Sequence, residues 1–383
     1  MMNKYIDQLA GSASIELMQK AQVLKEAGKD IISLAGGEPD FDTPSKITET
    51  AIQALKDGDT HYAVGKGILR LREQIARKAR EENQIPCTAD DVIVTPGGKF
   101  GIYLSVASLI NIGDEVIVFS PYWVSYCPIV KACGGVPVIC KLDYHEQYQI
   151  TEEKLLPLIT ERTKAIIINY PNNPTGRILS SEEAEVLKAV AQRYDLFIIS
   201  DEIYEKIVFD GKKNISIASY EGMQDRVITV NGFSKSVAMT GWRLGYTIAC
   251  PQITKVMYKL YVHTITGTSP FIQKAAIQAF SCDDEIEEMR QIYEQRRNYF
   301  IGSLNAIEGI ECRMPEGAFY AWVHFEKEPS AKAACEHLLG KYGILGVDGS
   351  SYGEENHACV RFSFASSMET LEQTIERLKN YEI

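Results

Sequence analysis

Seven short runs rich in β-branched residues recur along the middle of this 383-residue chain, and helical patterns separate most of them. The runs are Val92–Thr95, Glu115–Ser120, Val136–Leu142, Ala165–Asn169, Leu196–Asp201, Val227–Asn231 and Leu244–Ala249. Their apolar residues are mostly continuous, which is typical of strands that are buried on both faces of a parallel sheet. The pattern therefore predicts an α/β fold in which helices cover both faces of a mainly parallel, seven-stranded sheet.

The two ends of the chain have a different pattern from the middle. Toward the carboxyl end, the predicted elements are a long charged helix over 284–308, a strand over Ala318–Phe325, a helix over Ala331–Tyr342, a strand over Ala358–Phe364 and a helix over Met368–Tyr381. The amino-terminal segment through about residue 45 lies outside the array of seven strands. We therefore predict a large α/β domain over 46–283 and a smaller α+β domain that combines 1–45 with 284–383.

Charge and apolar content limit the partners of this chain. The formal net charge is −11, which makes the chain a poor match for nucleic acid or an anionic membrane surface. No window approaches the roughly 18 consecutive apolar residues that span a bilayer, and the first residues lack the apolar core of a signal peptide. The nine cysteines contain no Cys-x-x-Cys pair, and the six histidines lack metal-ligand spacing. We expect a cytoplasmic protein with reduced, mostly buried thiols and without a nucleic-acid, membrane or metal partner.

One lysine lies among small residues shortly after a predicted strand. Lys235 follows the run Val227–Asn231, and Arg243 comes eight residues later. Small neighbours let a bulky planar group approach the backbone. A lysine that forms a Schiff base and an arginine that holds a phosphate are the two groups that a pyridoxal-phosphate site needs. Taken alone, the segment could be a turn before an ordinary helix, but three further segments favour the functional interpretation.

The first of these segments is Asn169–Gly176, with the sequence NYPNNPTG, at the end of a predicted strand. Its two prolines fix the backbone and force the residues before them out of the helical region. This would hold Asn173 as a rigid polar group at the carboxyl edge of the sheet, where open α/β sheets bind ligands. A plain Pro/Asn/Gly turn is the alternative, and the doubled pattern favours the functional interpretation over it.

The second segment ends another predicted strand with a carboxylate. Asp201 closes the run Leu196–Asp201, and Tyr204 lies three residues further on. An aspartate after a strand is most often a helix N-cap. A pyridoxal cofactor, however, needs a carboxylate that keeps its ring nitrogen protonated, and Tyr204 could hydrogen-bond the phenolic oxygen of the ring.

The third segment is a glycine-rich connection between a strand and a helix. In Thr95–Gly101, glycines expose backbone amides at a helix N-terminus, which suits a phosphate. Further on, Trp123 lies just past another strand and could stack on a planar cofactor, although an isolated tryptophan is more often part of a core. Each signal is weak by itself, and the order of all of them along the chain is far more specific.

Taken together, these segments resemble the class I pyridoxal-phosphate aminotransferases, in particular the bacterial branch of the aspartate aminotransferase family. The matching segments are Leu34–Phe41, Thr95–Gly101, Pro121–Tyr126, Asn169–Gly176, Ser200–Tyr204, Gly232–Gly245 and Val360–Ser363. They extend along nearly the whole chain. The resemblance implies a fold-type-I pyridoxal-phosphate transferase and a homodimer whose active sites lie at the subunit interface.

By position within these motifs, the resemblance also implies a role for each site residue. The cofactor contacts would be Lys235 as the Schiff-base lysine and proton carrier, Asp201 at the pyridine nitrogen, Tyr204 and Asn173 at the ring oxygen, Trp123 stacked on the ring, Gly98, Lys99 and Arg243 at the phosphate, and Tyr62 at the phosphate of the neighbouring subunit. Arg361 would clamp the α-carboxylate of the substrate as a bidentate fork, which lysine cannot reproduce. Gly37 would approach the same carboxylate through its backbone, and Trp123 and Asn173 would complete the substrate site.

The resemblance implies an aminotransferase that acts on an L-amino acid and a 2-oxo acid, with L-aspartate and 2-oxoglutarate as the expected pair. In the bacterial branch, a lysine that matches Lys99 serves acidic substrates, together with hydroxyls near an N-terminal loop that reads Gly11–Ser14 in this chain. Lys99 could equally be only a phosphate contact. Prephenate or aromatic substrates therefore remain alternatives, as do a cysteine-S-conjugate β-lyase on the same fold and a non-catalytic binding role.

One position departs from the pattern of many relatives. They have a serine three residues before the lysine, where its hydroxyl meets the phosphate, whereas this chain has Gly232. Ser234 could substitute for that serine, but the sequence does not give the direction of its side chain.

Overall fold

The computed structural model describes residues 4–7, 9, 11, 13–63, 65–354, 356, 358–379 and 381–382. In this part of the chain the strands are β1 (Ile32–Ser33), β2 (Val92–Thr95), β3 (Glu115–Ser120), β4 (Val136–Lys141), β5 (Thr163–Asn169), β6 (Phe197–Asp201), β7 (Val227–Gly232), β8 (Gly245–Ile248), β9 (Ile310–Cys312), β10 (Tyr320–Phe325), β11 (Ile344–Leu345), β12 (Val347–Asp348) and β13 (Cys359–Ser363). The α-helices are α1 (Lys4–Asp7), α2 (Ala13–Glu26), α3 (Ser45–Lys56), α4 (Leu69–Glu81), α5 (Gly98–Leu109), α6 (Tyr126–Ala132), α7 (Glu152–Leu155), α8 (Ser181–Arg193), α9 (Pro251–Thr264), α10 (Pro270–Ala276), α11 (Asp283–Leu304), α12 (Ala331–Tyr342) and α13 (Met368–Leu378).

The seven predicted strands form one sheet, in the order β2-β8-β7-β6-β5-β3-β4. Only β8 runs antiparallel to its two neighbours, β2 and β7, and the remaining pairs are parallel. The observed bounds differ from the predicted ones by at most two residues. The mainly parallel seven-stranded sheet is therefore confirmed.

The continuous apolar runs arise because both faces of this sheet are covered. In β5, Ile166 and Ile168 pack into one apolar cluster, and Ala165 and Ile167 pack into another on the opposite face. Successive side chains of a strand point to opposite faces, so both sets must be apolar when both faces are buried. This burial fixes the register of the strands and therefore the positions of the residues at their ends.

A smaller, antiparallel sheet follows in the order β12-β13-β10-β9, with α11, α12 and α13 in the same part of the chain. A parallel pair between β1 and β11 joins the amino-terminal segment to the carboxyl-terminal part, because Ile32 pairs with Ile344. The division into 46–283 and 1–45 with 284–383 stays a prediction, and this pairing is consistent with it. The strands β9, β11 and β12 have only two or three residues each and gave no sequence signal.

Two findings concern the predicted partners and thiols. None of the helices in the described part of the chain is both long and apolar enough to span a membrane. All nine cysteines are free, and six of them are buried, which confirms the prediction of mostly buried thiols.

Candidate active site

A cavity of about 330 Å³ lies at the carboxyl edge of the parallel strands. Ten of the eleven predicted site residues line it, namely Gly37, Gly98, Lys99, Trp123, Asn173, Asp201, Tyr204, Lys235, Arg243 and Arg361. The eleventh, Tyr62, is 91% exposed and does not line the cavity of its own chain. Its predicted contact is with a second subunit, so that contact stays a prediction.

The lysine lies partly buried, three residues beyond the end of β7. Lys235 Nζ donates a hydrogen bond to the carbonyl oxygen of Gly37. Burial lowers the pKa of Lys235 to about 8; Glu38 opposes this shift, whereas Arg361 and Arg243 add to it. An amine with this pKa is deprotonated far more readily than an ordinary lysine, which suits a nucleophile or a general base.

Asp201 ends β6 and is 7% exposed. Its Oδ2 accepts a hydrogen bond of 2.8 Å from Tyr126 Oη, and its Oδ1 accepts one of 3.2 Å from the backbone N–H of Ile203. Burial raises the pKa of Asp201 to about 6, and the Tyr126 hydrogen bond opposes that shift. The next residues form turns and not a helix, so the helix N-cap alternative is excluded.

Tyr126 is a contact that the sequence did not assign. Its side chain is 2% exposed, and its ring packs edge-on against Trp123, with ring centroids 5.3 Å apart. It lies three residues after Trp123, at the start of α6, in the aromatic segment after β3. The aromatic cluster was the available signal, but nothing in the sequence indicates which of its hydroxyls reaches Asp201.

Arg361 lies on β13 and is 2% exposed. Its Nη2 donates to the carbonyl oxygen of Ala35 at 2.8 Å, and its Nη1 donates to Asn173 Oδ1 at 3.1 Å. Its Nε atom has no hydrogen-bond partner among the described residues. Because a buried guanidinium needs acceptors for its remaining N–H groups, this arrangement suits a carboxylate ligand.

The opposite end of the cavity is built on glycines and cations. Gly97 has a φ of +84° before α5, and a Cβ on it would lie 2.7 Å from Arg243 Nη2. A Cβ on Gly245 would lie 2.7 Å from the backbone nitrogen of Gly98. Side chains at these glycines would therefore collide with Arg243 and with the backbone at the N-terminus of α5. A helix N-terminus beside Arg243 and Lys99 is suited to an anion such as a phosphate.

Gly232, the departure from many relatives, packs tightly against neighbouring backbone. A Cβ at this position would lie 2.8 Å from Gly245 Cα and 3.0 Å from the carbonyl oxygen of Leu244. A serine could therefore not replace Gly232 without a shift of the backbone. Ser234 is 7% exposed and lines the cavity. The residue that could substitute for the missing serine therefore lies at the candidate site.

Among the residues that the structure describes, no group of three or more His, Cys, Asp or Glu side chains is arranged to hold a metal ion. His357 lies outside the described residues.

A second buried carboxylate lies directly next to Asp201 in sequence. Glu202 is 1% exposed, and its Oε1 accepts hydrogen bonds from Ser200 Oγ at 2.9 Å and from Ser216 Oγ at 2.7 Å. Its Oε2 has no hydrogen-bond partner among the described residues. Burial, and then the charge of Glu205, raise the pKa of Glu202 to about 8. The side chain is therefore mostly protonated at neutral pH.

We expect Glu202→Gln to stabilise the protein at pH 9 and to change its stability little at pH 5. The folded-state pKa lies above the ordinary value of 4.5, so the folded chain keeps a proton that the unfolded chain releases. That contribution to stability is lost as the pH rises from about 4.5 to about 8. The amide cannot ionise, so the gain at pH 9 should be a few kcal/mol, on the order of 2–4.

Urea unfolding of the parent and the variant at both pH values measures this effect. Glu221→Gln, at an exposed position, is the matched control and should show no such pH dependence. If the parent and Glu202→Gln differed in unfolding free energy by the same amount at pH 5 and pH 9, a buried, protonated Glu202 would be contradicted.

Comparisons with known proteins identify the family to which this chain is similar. The family model for aminotransferase class I and II matches residues 29–378. An aspartate aminotransferase from Geobacillus stearothermophilus is 40% identical over 99% of this chain and 98% of its own length. An aromatic-amino-acid aminotransferase from Thermococcus litoralis is 38% identical over 97% of this chain and 98% of its own length.

A solved structure gives the same result for the fold. The aspartate aminotransferase from Thermus thermophilus with maleate matches with a TM-score of 0.94 and 35% identity, over 99% of both chains. The predicted fold-type-I architecture is therefore confirmed. The chain belongs to the class I and II aminotransferases, as the order of its motifs predicts.

Proposed function

We propose that this chain is a pyridoxal-phosphate-dependent aminotransferase whose preferred amino donor is L-aspartate and whose acceptor is 2-oxoglutarate. The observation that carries the proposal is the presence of Lys235, Asp201 and Arg361 in one cavity. They supply an amine of lowered pKa, a buried carboxylate and a buried guanidinium. Few reactions other than amino-acid chemistry on pyridoxal phosphate need all three groups together.

The residues of the cavity fit this cofactor. Pyridoxal phosphate needs an amine for its aldehyde, a carboxylate for its ring nitrogen and an anion-binding end for its phosphate. Lys235 and Asp201 would meet the first two needs, and Arg243 with the amide of Gly98 would hold the phosphate. The absence of side chains at Gly97 and Gly245 lets Arg243 and the backbone of Gly98 come close together at that end.

Each residue would then act at a defined atom of the substrate or cofactor. When bound, pyridoxal phosphate supplies an electron sink for the charge that develops at the substrate α-carbon. Arg361 would bind the α-carboxylate through paired N–H donors and orient the α-hydrogen. Lys235 Nζ would remove the α-proton as general base and deliver it as general acid. Ionised Asp201 would hold the proton on the ring nitrogen, and Tyr204 would donate to the ring oxygen.

Lys99 supports an acidic substrate in this proposal. Its Nζ lies 4.9 Å from the centroid of the Trp123 ring, on the wall of the cavity. Burial, and then the charge of Arg243, lower the pKa of Lys99, and such an amine gains from a carboxylate partner. In the loop Gly11–Ser14, Ser12 and the side chain of Ser14 lie outside the described residues. The maleate bound by the Thermus thermophilus relative, a dicarboxylate, is consistent with this class of ligand.

The test is a panel of amino donors against 2-oxoglutarate, with the parent and with Lys99→Ala. If Lys99 binds the distal carboxylate, kcat/KM for aspartate and glutamate should fall by more than about tenfold, equal to 1.4 kcal/mol. Alanine and aromatic donors should change much less, because they have no distal carboxylate. Lys141→Ala, on the exposed side of β4, is the control and should leave every donor unchanged.

A uniform loss for all donors that added cofactor partly restores would make Lys99 a phosphate contact. The proposal would then retain an aminotransferase of unassigned donor. An aromatic or prephenate specificity is the second candidate, since the relative from Thermococcus litoralis is named for aromatic amino acids. A β-lyase would release pyruvate and ammonia from cystathionine without a 2-oxo acid, and this assay separates it from both.

We also propose a cytoplasmic homodimer. The 91% exposure of Tyr62 supports a contact with a second subunit, and nine free thiols are typical of a reducing compartment. A monomer at working concentration in analytical ultracentrifugation, or activity recovered only from a secreted or membrane fraction, would contradict the corresponding part of this proposal.

A further inference from the structure

We propose that Tyr320 is a positioning residue of this site: its hydroxyl donates to Tyr204 and so directs the Tyr204 proton to the ring oxygen of the cofactor. Its ring at the same time supports the guanidinium of Arg361. The inference rests on the proposed function, because it assigns a role toward bound pyridoxal phosphate. Tyr320 lines the cavity but had no role in the sequence prediction.

The first observation is a hydrogen bond between two buried phenols. Tyr204 Oη and Tyr320 Oη lie 2.8 Å apart, and their side chains are 5% and 1% exposed. Each hydroxyl has one proton and can donate only one hydrogen bond. If Tyr204 donates to the ring oxygen of the cofactor, it must accept from Tyr320. Tyr320 therefore decides whether the Tyr204 proton is available to the cofactor.

The second observation is the place of Tyr320 in the small sheet. On β10 it pairs with Ser363 of β13, and Trp322 pairs with Arg361. Tyr320 and Arg361 are therefore diagonal neighbours on the same face, within reach of long side chains. The centre of the guanidinium lies 4.3 Å from the centroid of the Tyr320 ring, a cation–π contact that holds the plane of the guanidinium.

The third observation is the acidity of the two phenols. Burial raises the pKa of Tyr204 well above its ordinary value. Burial also raises the pKa of Tyr320. The charge of Arg361 opposes both shifts, and its guanidinium packs directly on the ring of Tyr320. The more acidic hydroxyl is the better donor, so the charge of Arg361 favours donation from Tyr320 to Tyr204.

Gly37 leaves the space that this arrangement needs. A Cβ on Gly37 would lie 3.1 Å from Tyr320 Oη, closer than most side-chain contacts in proteins. The same glycine accepts the hydrogen bond from Lys235 Nζ through its carbonyl oxygen. One residue without a side chain thus lets the lysine and the Tyr320 hydroxyl approach from two sides.

The test uses the holoenzyme and follows the pH titration of the visible absorbance of bound pyridoxal phosphate. In Tyr320→Phe, Tyr204 loses the hydrogen bond that it accepts and becomes a weaker donor to the ring oxygen of the cofactor. That oxygen therefore becomes more basic, and the bound cofactor keeps its titratable proton to higher pH. We expect the titration midpoint to rise by about 0.5 to 1 pH unit, the equivalent of one hydrogen bond. The aromatic ring remains under Arg361, so KM for aspartate should change by less than about threefold.

Two further variants make the result specific. In a Tyr204→Phe background, Tyr320→Phe should shift the midpoint no further, since it acts only through the Tyr204 hydroxyl. Tyr148→Phe is the matched control: it removes another buried tyrosine hydroxyl, which accepts from Trp322 Nε1 at 2.8 Å. It should leave the midpoint unchanged. Tyr320→Leu, which also removes the ring, should raise KM for all amino acids together.

An unchanged midpoint in Tyr320→Phe would overturn the inference, and so would an equal shift in the Tyr204→Phe background. Neither result would affect the binding of the cofactor by the parent protein, so the proposed function would stand. If the parent protein does not bind pyridoxal phosphate in equilibrium dialysis, the proposed function fails first, and the inference fails with it.

Discussion

Lys235→Ala should lower transamination between aspartate and 2-oxoglutarate by about 10⁴-fold or more, because one side chain supplies both the nucleophile and the general base. The variant should still bind pyridoxal phosphate through the anion-binding end at Arg243 and Gly98, which the substitution does not touch. Steady-state rates and equilibrium dialysis with the cofactor measure the two properties separately.

Borohydride reduction followed by peptide mapping identifies the lysine directly. In the parent protein a pyridoxyl label should be found on Lys235 and be absent from the Lys235→Ala variant. Lys212→Ala is the matched control, since its amine pairs with Glu316 Oε1 at 2.6 Å outside the cavity. A label on a different lysine, or a Lys235→Ala variant within tenfold of the parent rate, would disprove the assignment.

The large sheet and most of the residues that line the cavity could be predicted from the sequence, because both depend on parallel strands that are buried on both faces. Strands buried on both faces have a continuous apolar pattern, and their parallel direction brings their carboxyl ends to one edge. Asn173 and Asp201 follow or end two such strands, so their meeting at that edge could be predicted without coordinates. Both residues line one cavity, together with Lys235, which follows the neighbouring strand β7.

The partners of these residues could not be predicted in the same way. Tyr126 reaches Asp201 from 75 residues away, and Tyr320 reaches Tyr204 from 116 residues away. A sequence gives the type of each side chain, but the direction of a hydroxyl depends on tertiary packing. Tyr320 lies in an apolar strand pattern in which a tyrosine is indistinguishable from an ordinary core residue. The roles of Tyr126 and Tyr320 could therefore not be predicted, because they depend on contacts between distant segments.

Asp201 shows how local structure decides between two roles that a sequence leaves open. A capping aspartate and a cofactor carboxylate look alike after a strand, and only the turn that follows Asp201 excludes the cap. The two roles also differ in energy. Loss of a cap affects stability by about 1 kcal/mol, whereas loss of the carboxylate at the ring nitrogen affects the barrier of the reaction.

Asp201→Ala should therefore lower the rate of the half-reaction with aspartate by about 100- to 1000-fold, the size expected for one preorganised electrostatic group. The stability of the cofactor-free protein should change much less. Burial raises the folded-state pKa of Asp201 from 3.8 to about 6, so ionisation reduces stability as the pH rises from about 4 to about 6. The substitution removes this pH-dependent loss of stability. It also leaves Tyr126 Oη without its acceptor, which lowers the free energy of unfolding by about 1–3 kcal/mol and opposes the first effect.

Stopped-flow rates and melting temperatures between pH 4 and pH 8 test the two expectations on the same samples. Asp195→Ala is the matched control, because that carboxylate is 93% exposed and pairs with Arg226 at 3.1 Å. It should leave the rate unchanged and the pH dependence of melting as in the parent. An Asp201→Ala variant with near-parent rate and a much lower melting temperature would show a structural carboxylate, and the cofactor role of Asp201 would have to be abandoned. A variant with a low rate, parent-like melting at pH 7 and a flatter pH dependence of melting would separate the catalytic loss from any loss of folding.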